Sequence, residues 1–356
     1  MRAGLQWKLV PIWCAGASMV LGAVLLAADR AADGKADDGR GIKGWTRGKG
    51  WGWIWGKDDE VGALNAMTDA SRAAALALAK RGESFDLGIT YSRRSYKWPG
   101  HSPGEILTFR SPDGIQRMKD PDAPADEVNR DRVFWHSAAL FISDNVATQI
   151  DGLAHITAGA DNHWYNGFTE DRWGGDWGPR KCDAPTIPPI VARGVLIDVA
   201  AYKKVDALPS HTLITTEDLK NTLAWEGVTL QPGDVVLVRT GTGRFWGEDG
   251  ADHKTIAEHD SAGPDLVATK WLIEDQGAMM VGSDTSGYEV NPAPGNPGTT
   301  IPCHRYLLVD QGVHIAEFHY LEGLSRAKAY EFCYVASVNK IKGASAGFTL
   351  RPIALR

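Results

Sequence analysis

GVLIDVA at Gly194–Ala200, DVVLVRT at Asp234–Thr240 and AMMVGSD at Ala278–Asp284 are short apolar runs rich in β-branched residues. They lack the polar/apolar alternation of a strand with one wet face. Runs of this kind predict strands buried on both faces. Helical signals separate them. Thr216–Glu226 has Thr215 or Thr216 as a cap and Gly227 as a stop. Pro264–Gln276 has Pro264 near its start and Gly277 after its end. The order β-α-β-α-β predicts an α/β sheet.

Working outward, Val313–Phe318 and Tyr330–Ser337 read as further strands. On the N-terminal side, TDASRAAALALAKR (Thr68–Arg81) predicts a helix capped by Thr68 and stopped by Gly82. From there to about residue 130 the chain is loop-rich. HSAALFISD (His136–Asp144) then predicts a strand running into NVATQIDGLAH (Asn145–His155). No linker divides residues 50–356, so a single mixed α/β domain is expected.

The ends and the composition limit the function classes. A basic start followed by the apolar run Leu9–Ala27 predicts a signal peptide or an uncleaved N-terminal membrane anchor over residues 1–28. A polar linker follows over 29–44, and the domain occupies 45–356. The expectation is an exported protein, periplasmic or secreted, with a possible membrane tether. Net charge is −6 and no basic block occurs, which argues against a nucleic-acid partner. Of the four cysteines, Cys182, Cys303 and Cys333 lie beyond the N-terminal segment that holds Cys14; three is an odd set, so at least one thiol stays free or pairs between chains. Trp45, Trp51, Trp53 and Trp55 crowd a Gly-rich segment. They read either as plugs for a core edge or interface, or as a lid over a pocket.

Two motif matches fail on context. In GTGRFWG (241–247) the third glycine falls one place late for a dinucleotide fingerprint, and no helical pattern follows. GASAG (343–347) resembles a serine-hydrolase elbow, but no acid or histidine follows it.

Candidate chemistry sits in two clusters. In an extended NVATQIDGLAH, Gln149 and Asp151 share one face. Asn145 can join them, and His155 can fold back beyond Gly152. Taken alone, these residues read more readily as capping and hydrogen-bonding groups than as a site. The second cluster, IPCHRYLLVDQGVHIAEFHYLEGL, holds His304, His314, Glu317, His319 and Glu322. On a strand from Val313, Glu317 and His319 share a face and His314 takes the other. Two acid/histidine clusters in a chain with ten histidines turn the reading toward a metal site. Cys303, beside His304, is a minor candidate nucleophile.

These residues carry a resemblance. The chain is similar to the cyclase family that includes bacterial kynurenine formamidases and isatin hydrolases, whose motif has the form H-x-G-T-H-x-D-x-x-x-H. Here Thr148, Asp151 and His155 match it, and Asn145, Ala147 and Gln149 depart. WGKDDEVGALN (Trp55–Asn65), YNG (Tyr165–Gly167), PCHRYLL around His304, the approach to Glu317 and the closing GFTLRPIAL also look familial.

The resemblance implies a compact β/β/α fold, a homo-oligomer, and a metal-dependent hydrolase of the arylformamidase type. Such an enzyme would cleave an amide, formamide, cyclic amide or lactone bond in a small-molecule substrate. Carried over, one divalent ion, manganese or zinc, would be held by Asp151, His304 and Glu317, with Gln149 as an oxygen ligand and Glu322 as fallback for Glu317. His155 would be the general acid/base, and Asn145 and Thr148 would lie at the substrate or behind the ligands. The alternative is a degenerate member that binds a small molecule or partner without chemistry.

Overall fold

The three apolar runs become neighbouring parallel strands at the centre of a nine-stranded sheet. Residues 42–97, 104–120, 124–247, 250–295, 298–348 and 350–356 are described by the computed structural model. The expected signal or anchor segment, and the linker up to residue 41, lie outside the described residues. Residues 42–356 form one compact unit. Among the described residues, no helix is long and apolar enough to cross a membrane.

In chain order the sheet contains β1 (Ser84–Asp86), β2 (Gln149–Asp151), β3 (Ile190–Asp198), β4 (Val235–Arg239), β5 (Met280–Ser283), β6 (His314–Glu317), β7 (Glu331–Ala336), β8 (Ala346–Gly347) and β9 (Ile353–Leu355). Across the sheet they run β1-β9-β7-β3-β4-β5-β6-β2-β8. Strands β3 to β6 are parallel, and both flanks are antiparallel. Every residue of β4 and β5 is buried, which explains their unbroken apolar character.

Helices occupy the predicted intervals. In α1 (Asp69–Leu76), Thr68 and Ser71 form a reciprocal cap. The helix ends five residues before the predicted Arg81. The chain turns there so that the Arg81 and Glu83 amides can donate to the Arg356 carbonyl. Thr215 and Asp218 cap α2 (Thr216–Glu226), and Gly227, with φ of 72°, stops it. Asp265 caps α3 (Leu266–Lys270), which continues as a π-helical turn to Asp275. Pro264 itself pairs in a short bridge with Ile214, so this helix starts later than predicted. Finally, α4 (Pro302–His304) runs on as π-helical turns to Gln311.

His136–Asp144 departs from expectation in its partner. Ser137–Ile142 is a strand, but it pairs antiparallel with Gly104–Arg110 in a separate two-stranded ribbon. The chain then turns. Asp144 accepts hydrogen bonds from the Ser345 and Ala346 amides, and Ala147 takes a φ of 61°. The main sheet is joined only at Gln149.

The tryptophan cluster plugs the edge of the core. The indole of Trp45 donates to Ile273 O, that of Trp51 to Ala278 O and that of Trp53 to Val309 O. None of the four lines the cavity described below. Two quoted motifs fit each other: Asp59 accepts from the Tyr165 hydroxyl, and the Asn166 amide donates to Gly56 O and Asp59 O.

Candidate metal centre

Pairing of β2 with β6 builds the site. Glu317 lies opposite Gln149, and Ile315 lies opposite Asp151. Directly opposed residues present their side chains to the same face of a sheet, so Gln149, Asp151 and Glu317 meet. His304 reaches them from α4. All four are buried. One ligand atom from each of Asp151, His304 and Glu317 lies within 4.8 Å of the others.

Gly152 makes the turn out of β2 possible. Its amide donates to Ser345 O at 2.9 Å, and a Cβ there would stand 2.5 Å from that same oxygen. Beyond this turn His155 lands on the wall of a cavity of about 280 Å³ that also reaches His304 and Glu317.

The hydrogen bonds of the cluster leave two of its acceptors without a donor. Asn145 Nδ2 donates to Asp151 Oδ1 at 3.0 Å, and Gln149 Nε2 donates to Glu317 Oε2 at 2.5 Å. His304 Nε2 is 3.3 Å from Glu317 Oε1 and 3.8 Å from Asp151 Oδ2. Among the described residues, Asp151 Oδ2 and Gln149 Oε1 are buried without a hydrogen-bond partner. Unsatisfied buried acceptors are costly, and here they sit beside two carboxylates and an imidazole. That donor set suits a divalent cation.

The electrostatics agree. Burial, then the charge of Asp151, pushes Glu317 up to about 8. Burial pulls His304 down, but hydrogen bonds and charges from Glu289 and Glu317 outweigh it and raise the imidazole to about 10. A buried acid raised in this way, as Glu317 is, gives up its proton when a cation binds.

Glu289 is the residue that sequence reasoning missed. Its carboxylate accepts from His304 Nδ1 at 2.5 Å, and from the amides of Cys303 and His304 at 3.0 and 2.9 Å. It therefore fixes the imidazole with Nε2 toward Asp151 and Glu317, and it satisfies the start of α4 as well. No spacing signal in SGYEVNP marks it; only the fold brings it to His304.

Several expectations need correction. Thr148, expected at the substrate or behind the ligands, lies on the opposite face of β2. Its Oγ1 donates to Phe318 O at 2.7 Å and accepts from the Ile89 amide at 2.9 Å, away from the cavity. Glu322, the fallback for Glu317, is clamped by Arg239, which also pairs with Asp198. His319 does not share the face of Glu317, because β6 ends there and Phe318 has a φ of 48°. Its ring stacks on Tyr334 and bonds the Tyr334 hydroxyl at 2.8 Å. His314 is buried on the other face, where burial lowers it to about 3.

All three cysteines are buried and free. Burial, then the charge of Glu289, pushes the Cys303 thiol far above the thiol range, which disarms it as a nucleophile. In GTGRFWG, the Gly241 and Gly243 amides, with that of the preceding Thr240, gather on the Asp284 carboxylate. In GASAG, Ser345 bonds Asp144. Neither motif forms the site its pattern first suggests.

A family model described as "Putative cyclase" matches residues 85–290, more than half of the chain. Among solved structures, a novel cyclase is 29% identical with a TM-score of 0.71, covering 85% of this chain and 96% of that one. Isatin hydrolase A from Ralstonia solanacearum is 22% identical with a TM-score of 0.54, covering 81% and 97%. Isatin hydrolase A from Labrenzia aggregata is 18% identical with a TM-score of 0.53, covering 80% and 98%. At these identities the two isatin hydrolases show a common fold alone. A search of curated proteins finds no match.

Proposed function

The chain belongs to the cyclase family, and from that premise we propose that it is a metal-dependent hydrolase of a small amide, formamide, cyclic amide or lactone. The observation that carries this reading is the pair of partnerless buried acceptors, Asp151 Oδ2 and Gln149 Oε1, beside His304 and Glu317 at a cavity. Asp151, Glu317 and His304 Nε2 would hold one divalent ion, with Gln149 Oε1 as a further oxygen donor. Two carboxylates, an amide and one imidazole accommodate manganese or zinc. When bound, such an ion supplies an acidified water and polarises an acyl oxygen.

The chain's own groups do the rest. Asn145 holds the Asp151 carboxylate through Oδ1, leaving Oδ2 free to coordinate. Glu289 keeps His304 in the required tautomer. An imidazole nitrogen of His155, on the cavity wall, takes a proton from the attacking water and returns it to the leaving nitrogen or oxygen. Such proton transfer contributes about 10²–10⁴-fold.

The test is a hydrolysis panel with manganese- or zinc-loaded protein, comprising an N-formyl aryl amine, a cyclic amide and a lactone. At least one should turn over, and His155→Ala should cut that turnover about 10²–10⁴-fold with metal content retained. Parallel loss of metal and turnover in His155→Ala would make His155 a ligand. No turnover of any panel member by loaded protein would favour a binding protein without chemistry. The amide ties from Asn145 and Gln149, which already occupy one oxygen of each carboxylate, are the feature that supports that second reading.

A further inference from the structure

The cavity at the metal centre has a neighbour. An open groove of about 610 Å³ runs along its outer side and shares His155, Thr300 and Ile301 with it. The far wall of the groove is Ile156–Gly159, which carries no charge. Arg305 also lines the groove. The residue is exposed, and among the described residues no ion pair or side-chain hydrogen bond ties down its guanidinium. Its backbone is nonetheless held firmly, because Arg305 directly follows His304 on the same helical segment. A cation on a fixed stretch of backbone thus stands beside a groove that shares His155 with the inner cavity.

The charge differs between the two. The inner cavity presents Glu289 and Glu317, with Asp151 behind them. The residues lining the outer groove supply one guanidinium and no carboxylate, while Asp161, paired with His163, stands close to Gly159. At the inner end the charge of a bound ion would offset the acids there, so the outer guanidinium is what draws an anionic group away from the centre and orients the neutral scissile bond inward. The guanidinium fork matches a carboxylate in shape as well as charge.

We propose that Arg305 selects substrates that carry a carboxylate remote from the scissile bond, lodged in the outer groove while the bond itself lies beyond His155. This rests on the hydrolase reading above and names the substrate class for that site.

The experiment separates the two ideas. Binding of 4-aminobenzoate and of aniline to metal-loaded protein is measured by calorimetry, since neither probe can be hydrolysed. Wild-type protein should bind 4-aminobenzoate about tenfold or more tightly than aniline, as expected for one charge-assisted pair. Arg305→Gln should bring the ratio close to one, and Arg305→Lys should restore part of it. A wild-type ratio near one, or a ratio that Arg305→Gln leaves intact because the carboxylate sits on the metal, overturns the proposal. The same pairing is then read kinetically with 4-formamidobenzoate and formanilide, where Arg305→Gln should raise KM for the first and leave the second alone. If neither is hydrolysed, the hydrolase reading loses support while the binding ratio still decides the role of Arg305.

Discussion

At the scale of single residues, the centre depends on how its ligands are held. His304 has two ring nitrogens, and only Nε2 faces Asp151 and Glu317. Glu289 enforces that choice by accepting from Nδ1. Glu289→Gln keeps the size and an acceptor oxygen but removes the charge, and its amide can present a donor to Nδ1 instead. Supporting groups of this kind typically alter metal affinity by about 10–100-fold. Competition against a chromophoric chelator should therefore show weaker manganese or zinc binding, with the far-ultraviolet circular dichroism of the variant unchanged. Full affinity in a folded Glu289→Gln protein would mean that Glu289 serves α4 alone. The ligands themselves were legible in the chain, because carboxylates and imidazoles are scarce enough among apolar strands to stand out. Glu289 was not, since acidic residues in loops are common and its meaning comes from a contact fifteen residues away.

Elements bring these residues together, and they do so through close backbone approach. β5 and β6 lie side by side, with Gly282 opposite Ala316. A Cβ on Gly282 would stand 2.5 Å from both the Cβ and the carbonyl oxygen of Ala316. Since Ala316 precedes Glu317, Gly282→Ala must push the ligand strand. Overpacking of this kind costs about 1–3 kcal/mol. The variant should melt earlier and bind metal more weakly, whereas Gly287→Ala, whose Cβ would enter open space, should keep its melting temperature.

A second element-scale prediction concerns pH. Glu226, the last residue of α2, accepts from the Asp198 amide. Burial pushes its carboxyl up to about 8; that hydrogen bond opposes the rise and the Asp198 charge adds to it. A raised folded-state value means the folded chain holds the extra proton between about 4.5 and 8. The stability linked to that proton is full below the lower limit and lost as pH rises through the upper one. Glu226→Gln should therefore raise the melting temperature more at pH 9 than at pH 5. An equal gain at both pH values would count against the raised carboxyl. Periodicity disclosed the central parallel strands because burial on both faces leaves a plain mark. It could not say that Ser137–Ile142 belongs to a ribbon, since a strand's own residues do not name its partner. Nor could alternation place His319, because the left-handed backbone at Phe318 resets the faces.

On the scale of the whole molecule, the three candidate ligands come from distant parts of the chain: Asp151 from β2, His304 from α4 and Glu317 from β6. These positions converge only when the antiparallel flank has docked on the parallel centre, so an unfolded chain offers no such site. An ion that binds the folded state alone stabilises it by RT ln(1 + [L]/Kd), about 2.7 kcal/mol at a hundredfold excess over Kd. Without the ion, Glu317 and Asp151 confront each other at close range in a buried place. Relief of that repulsion is part of what the ion contributes, since burial first and the Asp151 charge second raise Glu317 when no cation is bound. Protein loaded with manganese or zinc should therefore melt several degrees higher than protein treated with a chelator, and the gap should grow with free metal. Asp151→Asn removes one ligand charge and the repulsion together. Its melting temperature should respond little to metal, and its metal-free form should be at least as stable as the metal-free wild type. The site would have to be reassigned if metal stabilised the variant as much as the wild type, because the ion would then be bound elsewhere.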